Sequence, residues 1–312
     1  MTNIFWPVYK NLEREFLELM FAIHIDEKQL SVYSSKISDL ILRAASDIES
    51  LAKTLYFENG GTKSNNIRYD DAIKCLNKDW KLEKKHVIVA TPYCFLPAEQ
   101  RILIPFDKEE ERTGSGRLTF GWNNAYQNLK HDRANSLHLG SIYYLFRIMA
   151  ALFVLNIYFK DQQFDLEKDS RAVDFPNSLG SNIFSIKLHV SNAISVSSNG
   201  KYLKNDSFDE SLYFSRATID SLQSVIDAHV QRDRQCTASQ IAVAMERGYT
   251  NLAKELSEGN TSLIKLLCAK FGEEEYIEIV KISNKETWPL QRTTTELTKK
   301  MKYEALLNKN QV

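Results

Sequence analysis

The most regular feature of the chain is an apolar stripe with helical spacing between residues 33 and 55. Apolar side chains recur there mainly three or four positions apart, at Tyr33, Ile37, Leu40, Ile41, Ala44, Ile48, Leu51, Ala52 and Leu55. This spacing puts them on one face of an α-helix, which then packs against a core. Gly60 and Gly61 follow, and helices commonly end at glycine. The pattern predicts a long amphipathic helix.

Three other segments of the N-terminal half show helical patterns. Apolar residues recur from Tyr9 to Phe21, a further helix is predicted from Trp122 to His131, and the segment from Leu137 to Phe159 is apolar nearly all round. A helix that is apolar on every side is enclosed by its neighbours. Together with the amphipathic helix, these segments predict a four-helix core in a mainly α protein.

The apolar segment after residue 141 is long enough to suggest a membrane span, but its composition argues against one. Arg147 lies near its middle and Asn156 near its end. An arginine facing lipid costs about 2.5 to 3.5 kcal/mol on insertion scales. We therefore predict a buried core helix and no membrane association.

The region from about residue 62 to 121 lacks a sustained helical pattern and is predicted to be a mixed insertion. It contains a short helix from Asp70 to Trp80, followed by β-branched runs that are interrupted by Pro92, Pro97 and Pro105. Prolines confine such runs to short or edge strands. The polar, glycine-containing tract from 108 to 117 is predicted to be a hinge.

The C-terminal half, unlike the N-terminal half, is predicted to begin with strands and to continue with helices. Two alternating runs on either side of Asn199-Gly200 predict a β-hairpin. Helices are predicted at Glu210–Val230, Thr237–Arg247, Thr250–Glu258 and Ser262–Phe271. We therefore predict an N-terminal domain over residues 1–165 and an accessory α-rich region of unknown role over 166–312.

Charge and cysteine content narrow the functional classes. Forty basic residues balance 40 acidic residues, so no global field attracts nucleic acid or an anionic membrane, and any phosphate site must be local. The four cysteines are scattered without metal-site spacing, as expected for reduced thiols. Acidic residues come too early at the N-terminus for a signal peptide. A cytoplasmic protein without a metal or other cofactor is predicted.

Candidate chemistry is concentrated where the third and fourth helices meet. Six polar residues fall within nine positions there: Lys130, His131, Asp132, Arg133, Asn135 and His138. In one continuous helix Arg133 and His138 lie about 140° apart, since each residue turns the helix by about 100°. They converge if the chain turns near Asp132 to Asn135, or if two copies meet across a two-fold axis. The alternative is a structural junction whose charges are paired locally.

An arginine beside a histidine has a specific chemical use. The guanidinium binds a phosphate through forked, charge-assisted hydrogen bonds, and the imidazole exchanges protons near neutral pH. Metal-free cleavage of RNA needs a base for the 2′-hydroxyl proton and a cation for the charge that develops on phosphorus. The sequence shows no carboxylate set for magnesium next to this cluster.

The order of these features resembles the HEPN superfamily of bacterial helical domains. The resemblance covers Tyr9 to about Lys160 and rests on "VYSSKISDLILRAASDIESLAKTLY", an insertion, and "WNNAYQNLKHDR" running into "IMAALFVLNIYF". It includes a K-H-x-R signature at Lys130–Arg133 and an R-x4-H match formed by Arg133 and His138. The resemblance implies that Arg133 stabilises the phosphate, that His138 transfers protons, and that a homodimer joins two such motifs in one cleft.

Two details of the resemblance concern the surroundings of Arg133. The family places an acidic residue on the second helix to position the arginine, and Glu49 fits that role by its spacing; the alternative is a glutamate that extends to solvent. Where active members usually carry a polar residue after the arginine, this chain has Ala134. His131 is a second candidate for proton transfer, because it shares a face with His138 if the helix is continuous.

Two functional hypotheses follow. The first is a metal-independent RNA endonuclease of toxin or phage-defence type, with RNA as its substrate, a homodimeric state and a cognate regulator that the sequence does not identify. The second is a non-catalytic module that binds RNA, a nucleotide or a protein partner. A helix-turn-helix DNA reader at 237–256 is disfavoured, because Lys254 is the only cation on its presumed reading helix.

Overall fold

The computed structural model describes residues 3–62, 67–110, 118–168, 172–190, 204, 207–258 and 262–311. The chain forms two units. The first consists of Met1–Arg216 together with Glu304–Val312, and the second consists of Ala217–Tyr303. The junction cluster and the four helices predicted around it belong to the first unit.

The protein is mainly α, as the periodicity of the sequence predicts. The helices within the described residues are α1 (Phe5–Ala22), α2 (Ser35–Glu58), α3 (Tyr69–Trp80), α4 (Gly121–His131), α5 (Arg133–Ser136), α6 (Ile142–Lys160), α7 (Ile219–Glu246), α8 (Leu252–Glu258), α9 (Leu263–Phe271) and α10 (Glu273–Lys299). The strands are β1 (Val87–Val89), β2 (Ile102–Leu103), β3 (Lys108–Glu110), β4 (Leu118–Phe120), β5 (Phe164–Glu167), β6 (Phe184–Ser185), β7 (Leu188–Val190), β8 (Tyr213–Ala217) and β9 (Tyr303–Leu307).

Helices α1, α2, α4 and α6 pack side by side in the core of the first unit. The predicted stripe of α2 is buried from Ile37 to Leu55, whereas Tyr33 precedes the helix and is exposed. Ser34 caps α2, since its side chain accepts a hydrogen bond from the backbone N–H of Ile37 at 3.2 Å. The four segments predicted from the hydrophobic pattern are therefore helices.

Helix α6 is the most enclosed element of this core. It is long and apolar enough to cross a bilayer by length and composition, yet 83% of its most apolar stretch is buried within the protein. Asn156 is also buried, and its amide donates a hydrogen bond to the carbonyl of Leu152 at 2.9 Å. These observations confirm the prediction of a buried core helix.

The region between α2 and α4 holds α3 and four short strands, β1 to β4, which belong to two small sheets. In one sheet β1 lies between β2 and β6 and is antiparallel to both. In the other, β3 pairs antiparallel with β4. The short strands agree with the proline spacing of the predicted insertion. Of the predicted hinge, Lys108–Glu110 forms β3, and residues 111–117 lie outside the described residues.

The predicted boundary between residues 165 and 166 does not match the division of the chain. A four-stranded sheet in the order β5-β9-β8-β7 includes strands from residue 164 to residue 307. Strand pairing therefore holds the C-terminal segment in the first unit, and the second unit is inserted between β8 and β9. The turn predicted at Asn199-Gly200 lies outside the described residues, and β7 pairs in parallel with β8.

The second unit is helical. Its helices α8 and α9 lie within the predicted segments Thr250–Glu258 and Ser262–Phe271, whereas the elements before them differ from the prediction. Residues 213–217 form β8 rather than a helix, and α7 is continuous across the predicted break after Val230. Gly248 follows α7 with a φ of +96°, and Ser262 caps α9 through the backbone N–H of Lys265. Helix α10, which packs along α7, is absent from the predictions. A small core joins these helices at Ala244, Leu252, Leu267 and Ile279.

Candidate functional site

The chain turns sharply where the polar cluster begins. Helix α4 ends at His131, and Asp132 adopts a non-helical conformation with φ −142° and ψ 54° before α5 starts. Two hydrogen bonds hold this turn: Asp132 N–H donates to the Asn128 carbonyl at 2.8 Å, and Asn135 Nδ2 donates to Asp132 Oδ1 at 2.8 Å. The geometry of one continuous helix, which separates Arg133 from His138, therefore does not apply.

We call residues 130–141, which connect α4 to α6, the junction. All of its predicted site residues are exposed, namely Lys130, His131, Asp132, Arg133, Asn135 and His138. Buried residues alternate with them, since Ser136 and Leu139 point into the first unit. The structure thus places the predicted site residues together on one short connection and leaves them accessible to solvent.

The C-terminal end of the junction is bound tightly to the start of α2. The Gly140 carbonyl accepts a hydrogen bond from Ser34 N–H at 3.2 Å, and Ile142 N–H donates to the Val32 carbonyl at 3.0 Å. A Cβ atom on Gly140 would lie only 1.9 Å from Ser38 Oγ. This close approach requires glycine, and it holds the exposed residues on a supported backbone.

Glu49 does not take the position that the family resemblance implies. Its carboxylate accepts a hydrogen bond from the Tyr126 hydroxyl at 3.0 Å, and no ion pair between Glu49 and Arg133 occurs in the described residues. Tyr126 in turn accepts a hydrogen bond from Lys130 Nζ at 3.0 Å. Glu49 therefore supports Lys130 through a tyrosine, rather than orienting Arg133 directly.

Tyr126 is the site residue that sequence reasoning missed. Burial raises the pKa of Tyr126, and its contact with Glu49 raises it further. The hydrogen bond with Tyr126 raises the pKa of Lys130, so the lysine stays cationic. The available signal was the spacing of four residues between Tyr126 and Lys130, which puts both on one face of α4.

Arg133 and His131 differ from Lys130 in whether a neighbouring group holds the side chain. Within the described part of the chain, neither forms an ion pair or a hydrogen bond through its side chain. An exposed guanidinium with no counter-ion can bind an incoming phosphate without first breaking a salt bridge. The junction therefore offers two cations, Lys130 and Arg133, and two imidazoles beside a single carboxylate, that of Asp132.

A second group of ionisable side chains surrounds Lys85. Lys85 is buried, donates hydrogen bonds to the carbonyls of Asp209 and Ser211 at 2.9 and 3.0 Å, and has a pKa lowered by burial to about 7. Next to it, a cavity of about 270 Å³ is lined in part by His86 and His189. Lys85 ties the segment before β8 to the insertion, so its contacts are explained by folding.

Neither a metal-binding group among the described residues nor a related protein indicates the function. Among the described residues, no group of three or more histidine, cysteine, aspartate or glutamate side chains is placed to hold a metal ion. No family model matches the chain, and neither a curated protein nor a solved structure matches it.

Proposed function

We propose that the protein is a cytoplasmic, metal-independent RNA endonuclease of toxin or phage-defence type. The observation that carries the proposal is the exposure of all six polar side chains on a backbone that is anchored to α2. A purely structural junction would pair its cations locally, whereas Arg133 has no partner among the described residues. Accessible charge on a rigid support is suited to binding a phosphodiester.

The proposed reaction proceeds by attack of the RNA 2′-hydroxyl on the adjacent phosphorus. The bond from phosphorus to the 5′-oxygen breaks, leaving a 2′,3′-cyclic phosphate on one product and a 5′-hydroxyl on the other. One proton leaves the attacking hydroxyl and one reaches the departing oxygen, so two proton-transfer groups are useful. His138 fills one of these roles, and Arg133 stabilises the charge that builds on phosphorus.

The second proton-transfer group has two candidate sources. His131 lies on the same junction, and a homodimer would bring a second copy of His138 to the cleft. Lys130 is held by Tyr126 at the edge of the site and adds positive charge there. The pair formed by Asp132 and Asn135 maintains the turn that presents Arg133.

The test is cleavage of single-stranded RNA in the presence of EDTA. We expect the wild-type protein to cut RNA, to spare an all-2′-deoxy strand of the same sequence, and to leave cyclic phosphate ends. His138→Ala is expected to lose at least about 100-fold in rate, in line with the usual contribution of acid-base catalysis. Arg133→Ala is expected to lose activity as well.

A matched control separates chemistry from folding. His24→Ala removes an exposed histidine of the first unit whose ring packs against Phe95 rather than belonging to the junction. This variant is expected to keep full activity, and circular dichroism should show the same helix content in all variants. Equal RNA cleavage by wild type and His138→Ala would contradict the assigned role.

A specific observation favours the second hypothesis, a non-catalytic module that binds RNA. Glu49 is bonded to Tyr126 instead of orienting Arg133, and Ala134 offers no polar group next to the arginine. Under this hypothesis RNA survives at high protein concentration. Fluorescence anisotropy would still show binding, and Arg133→Ala would reduce the logarithmic salt dependence of the affinity by about one unit.

A further inference from the structure

A cavity of about 300 Å³ lies in the first unit, between α6 and the segments packed over it. Most of its wall is apolar: Leu30 precedes α2, Val89 comes from β1, Leu103 from β2 and Phe146 from α6. A volume of this size is at the lower end of the range for small-molecule sites. The cavity is therefore suited to a compact ligand with an apolar body.

One cation, Arg147, lines this mostly apolar cavity, and Gln100 and Tyr143 add polar groups to the described part of its wall. Arg147 is on α6 and is half-buried, and its Nε atom is shielded from solvent with no hydrogen-bond partner among the described residues. In the described part of the chain no carboxylate forms an ion pair with Arg147, although Asp107 and Glu109 are near enough to raise the pKa of Tyr143. The compensating contact is the Tyr143 ring, whose centroid lies 4.5 Å from the guanidinium carbon.

An arginine in this setting is unfavourable for folding alone. Removing a cation from water is costly unless an opposite charge or hydrogen-bond acceptors replace the solvent. A cation–π contact offsets only part of that cost. Methionine or leucine would line the same wall of the cavity without leaving a buried nitrogen unsatisfied, so the Nε atom of Arg147 is available to a ligand.

We propose that this cavity binds a small carboxylate with an apolar tail, held by Arg147. The guanidinium matches a carboxylate in shape and in hydrogen-bond geometry, and the apolar wall accepts the tail. A carboxylate is favoured over a phosphate because Arg147 is the only charged residue among the described residues that line the cavity. One guanidinium balances a single negative charge, whereas a phosphate dianion needs further donors. This site is independent of the junction chemistry.

Isothermal titration calorimetry with defined probes tests the site in the full-length protein. Hexanoate is the carboxylate probe, 1-hexanol has the same tail without the charge, and inorganic phosphate has the charge without the tail. We expect hexanoate to bind at least about tenfold more tightly than 1-hexanol, as a charge-assisted pair provides. We expect inorganic phosphate to bind more weakly than hexanoate.

Three variants identify the groups responsible. Arg147→Met keeps an unbranched stem but removes the charged group, and it is expected to remove the preference for hexanoate over 1-hexanol, whereas Arg147→Lys should retain part of it. Leu30→Trp fills the cavity from a partly exposed position and should abolish binding of both probes. Thermal unfolding of each variant without ligand verifies that the fold is intact.

The outcomes that overturn the proposal are distinct. Failure of wild type to bind hexanoate at millimolar concentration, or equal hexanoate affinity of wild type and Arg147→Met, would exclude this site. Tighter binding of inorganic phosphate than of hexanoate, dependent on Arg147, would exclude a carboxylate as the ligand. None of these results depends on whether the protein cleaves RNA.

Discussion

Replacing Gly140 by alanine is expected to disrupt the attachment of the junction to α2. The added Cβ would lie 1.9 Å from Ser38 Oγ, 3.1 Å from Ser38 Cβ and 3.2 Å from the Leu137 carbonyl oxygen. Backbone strain is not involved, because Gly140 has a φ of −75° that any residue can adopt. The effect therefore comes from steric overlap of the added methyl group, mainly with the Ser38 side chain.

The expected loss of stability follows from the contacts that the new methyl group would displace. Overpacking a filled site costs about 1 to 3 kcal/mol. Ser38 Oγ also donates a hydrogen bond to the Ser34 carbonyl at 3.0 Å, and its displacement would cost about 1 kcal/mol more. Gly140→Ala should therefore lower the free energy of unfolding of the first unit by about 2 to 4 kcal/mol.

A double-mutant cycle with Ser38→Ala isolates this overlap. Ser38→Ala alone loses about 1 kcal/mol for the hydrogen bond, but it removes the atom that clashes with the new methyl group. The double variant should therefore lose less than the sum of the two single changes, by about 2 to 4 kcal/mol, because the overlap is relieved and the hydrogen bond is lost only once. Gly121→Ala is the matched control, because its nearest neighbour is the flexible carboxyl of Glu109 at 3.1 Å.

Urea unfolding followed by tryptophan fluorescence provides the measurement. The chain has four tryptophans, and a Trp288→Phe background leaves Trp6, Trp80 and Trp122, which all belong to the first unit. The fluorescence change then reports on that unit alone. A loss below about 0.5 kcal/mol for Gly140→Ala, or strict additivity with Ser38→Ala, would refute the packing argument.

Three further outcomes are expected. Tyr126→Phe should lower stability by about 1 kcal/mol, because Glu49 and Lys130 both lose a hydrogen bond, and chemical denaturation checks this. The pKa of Lys85 falls from 10.5 to about 7 on folding, so the unfolded chain binds more protons between these values. The free energy of unfolding should then rise with pH between 7 and 10.5 by up to about 1.4 kcal/mol per pH unit. Unfolding curves of Lys85→Met measured over the same pH range should lack this rise. Arg147→Met should stabilise the ligand-free protein by about 1 kcal/mol in thermal unfolding; a loss of stability would show that the guanidinium is already well compensated.

Local patterns predicted the helices well where they pack along one continuous stripe. The buried face of α2 and the enclosed α6 follow from the apolar pattern, because helical geometry fixes on which side of the helix each side chain lies. The same logic placed α8 and α9 correctly but failed near residue 210, where Tyr213–Ala217 forms a strand. Its partners are β7 and β9, and the residues of β9 lie about ninety positions away, beyond the reach of any local pattern.

The candidate site also combines features that the sequence predicted with features that depend on tertiary contacts. The sequence supplied the identity of the junction residues and a turn near Asp132 to Asn135 as one of the possible arrangements. It could not supply the partner of Glu49, since the contact with Tyr126 joins two helices whose relative rotation is set by core packing. Nor did spacing indicate that Arg147 would line a cavity, as the opposite wall comes from Leu30, β1 and β2.

By itself, the sequence determined that this protein is mainly α, that its most apolar helix is buried, and that charged and imidazole side chains crowd one connection between helices. These properties depend on residue type and on spacing within a single element. Tertiary structure alone decided that the connection is exposed and anchored at Gly140, that a C-terminal strand returns to the first unit, and that an arginine with no ion-pair partner among the described residues lines a mostly apolar cavity. Each of these depends on contacts between residues distant in sequence, which form only when the chain is packed.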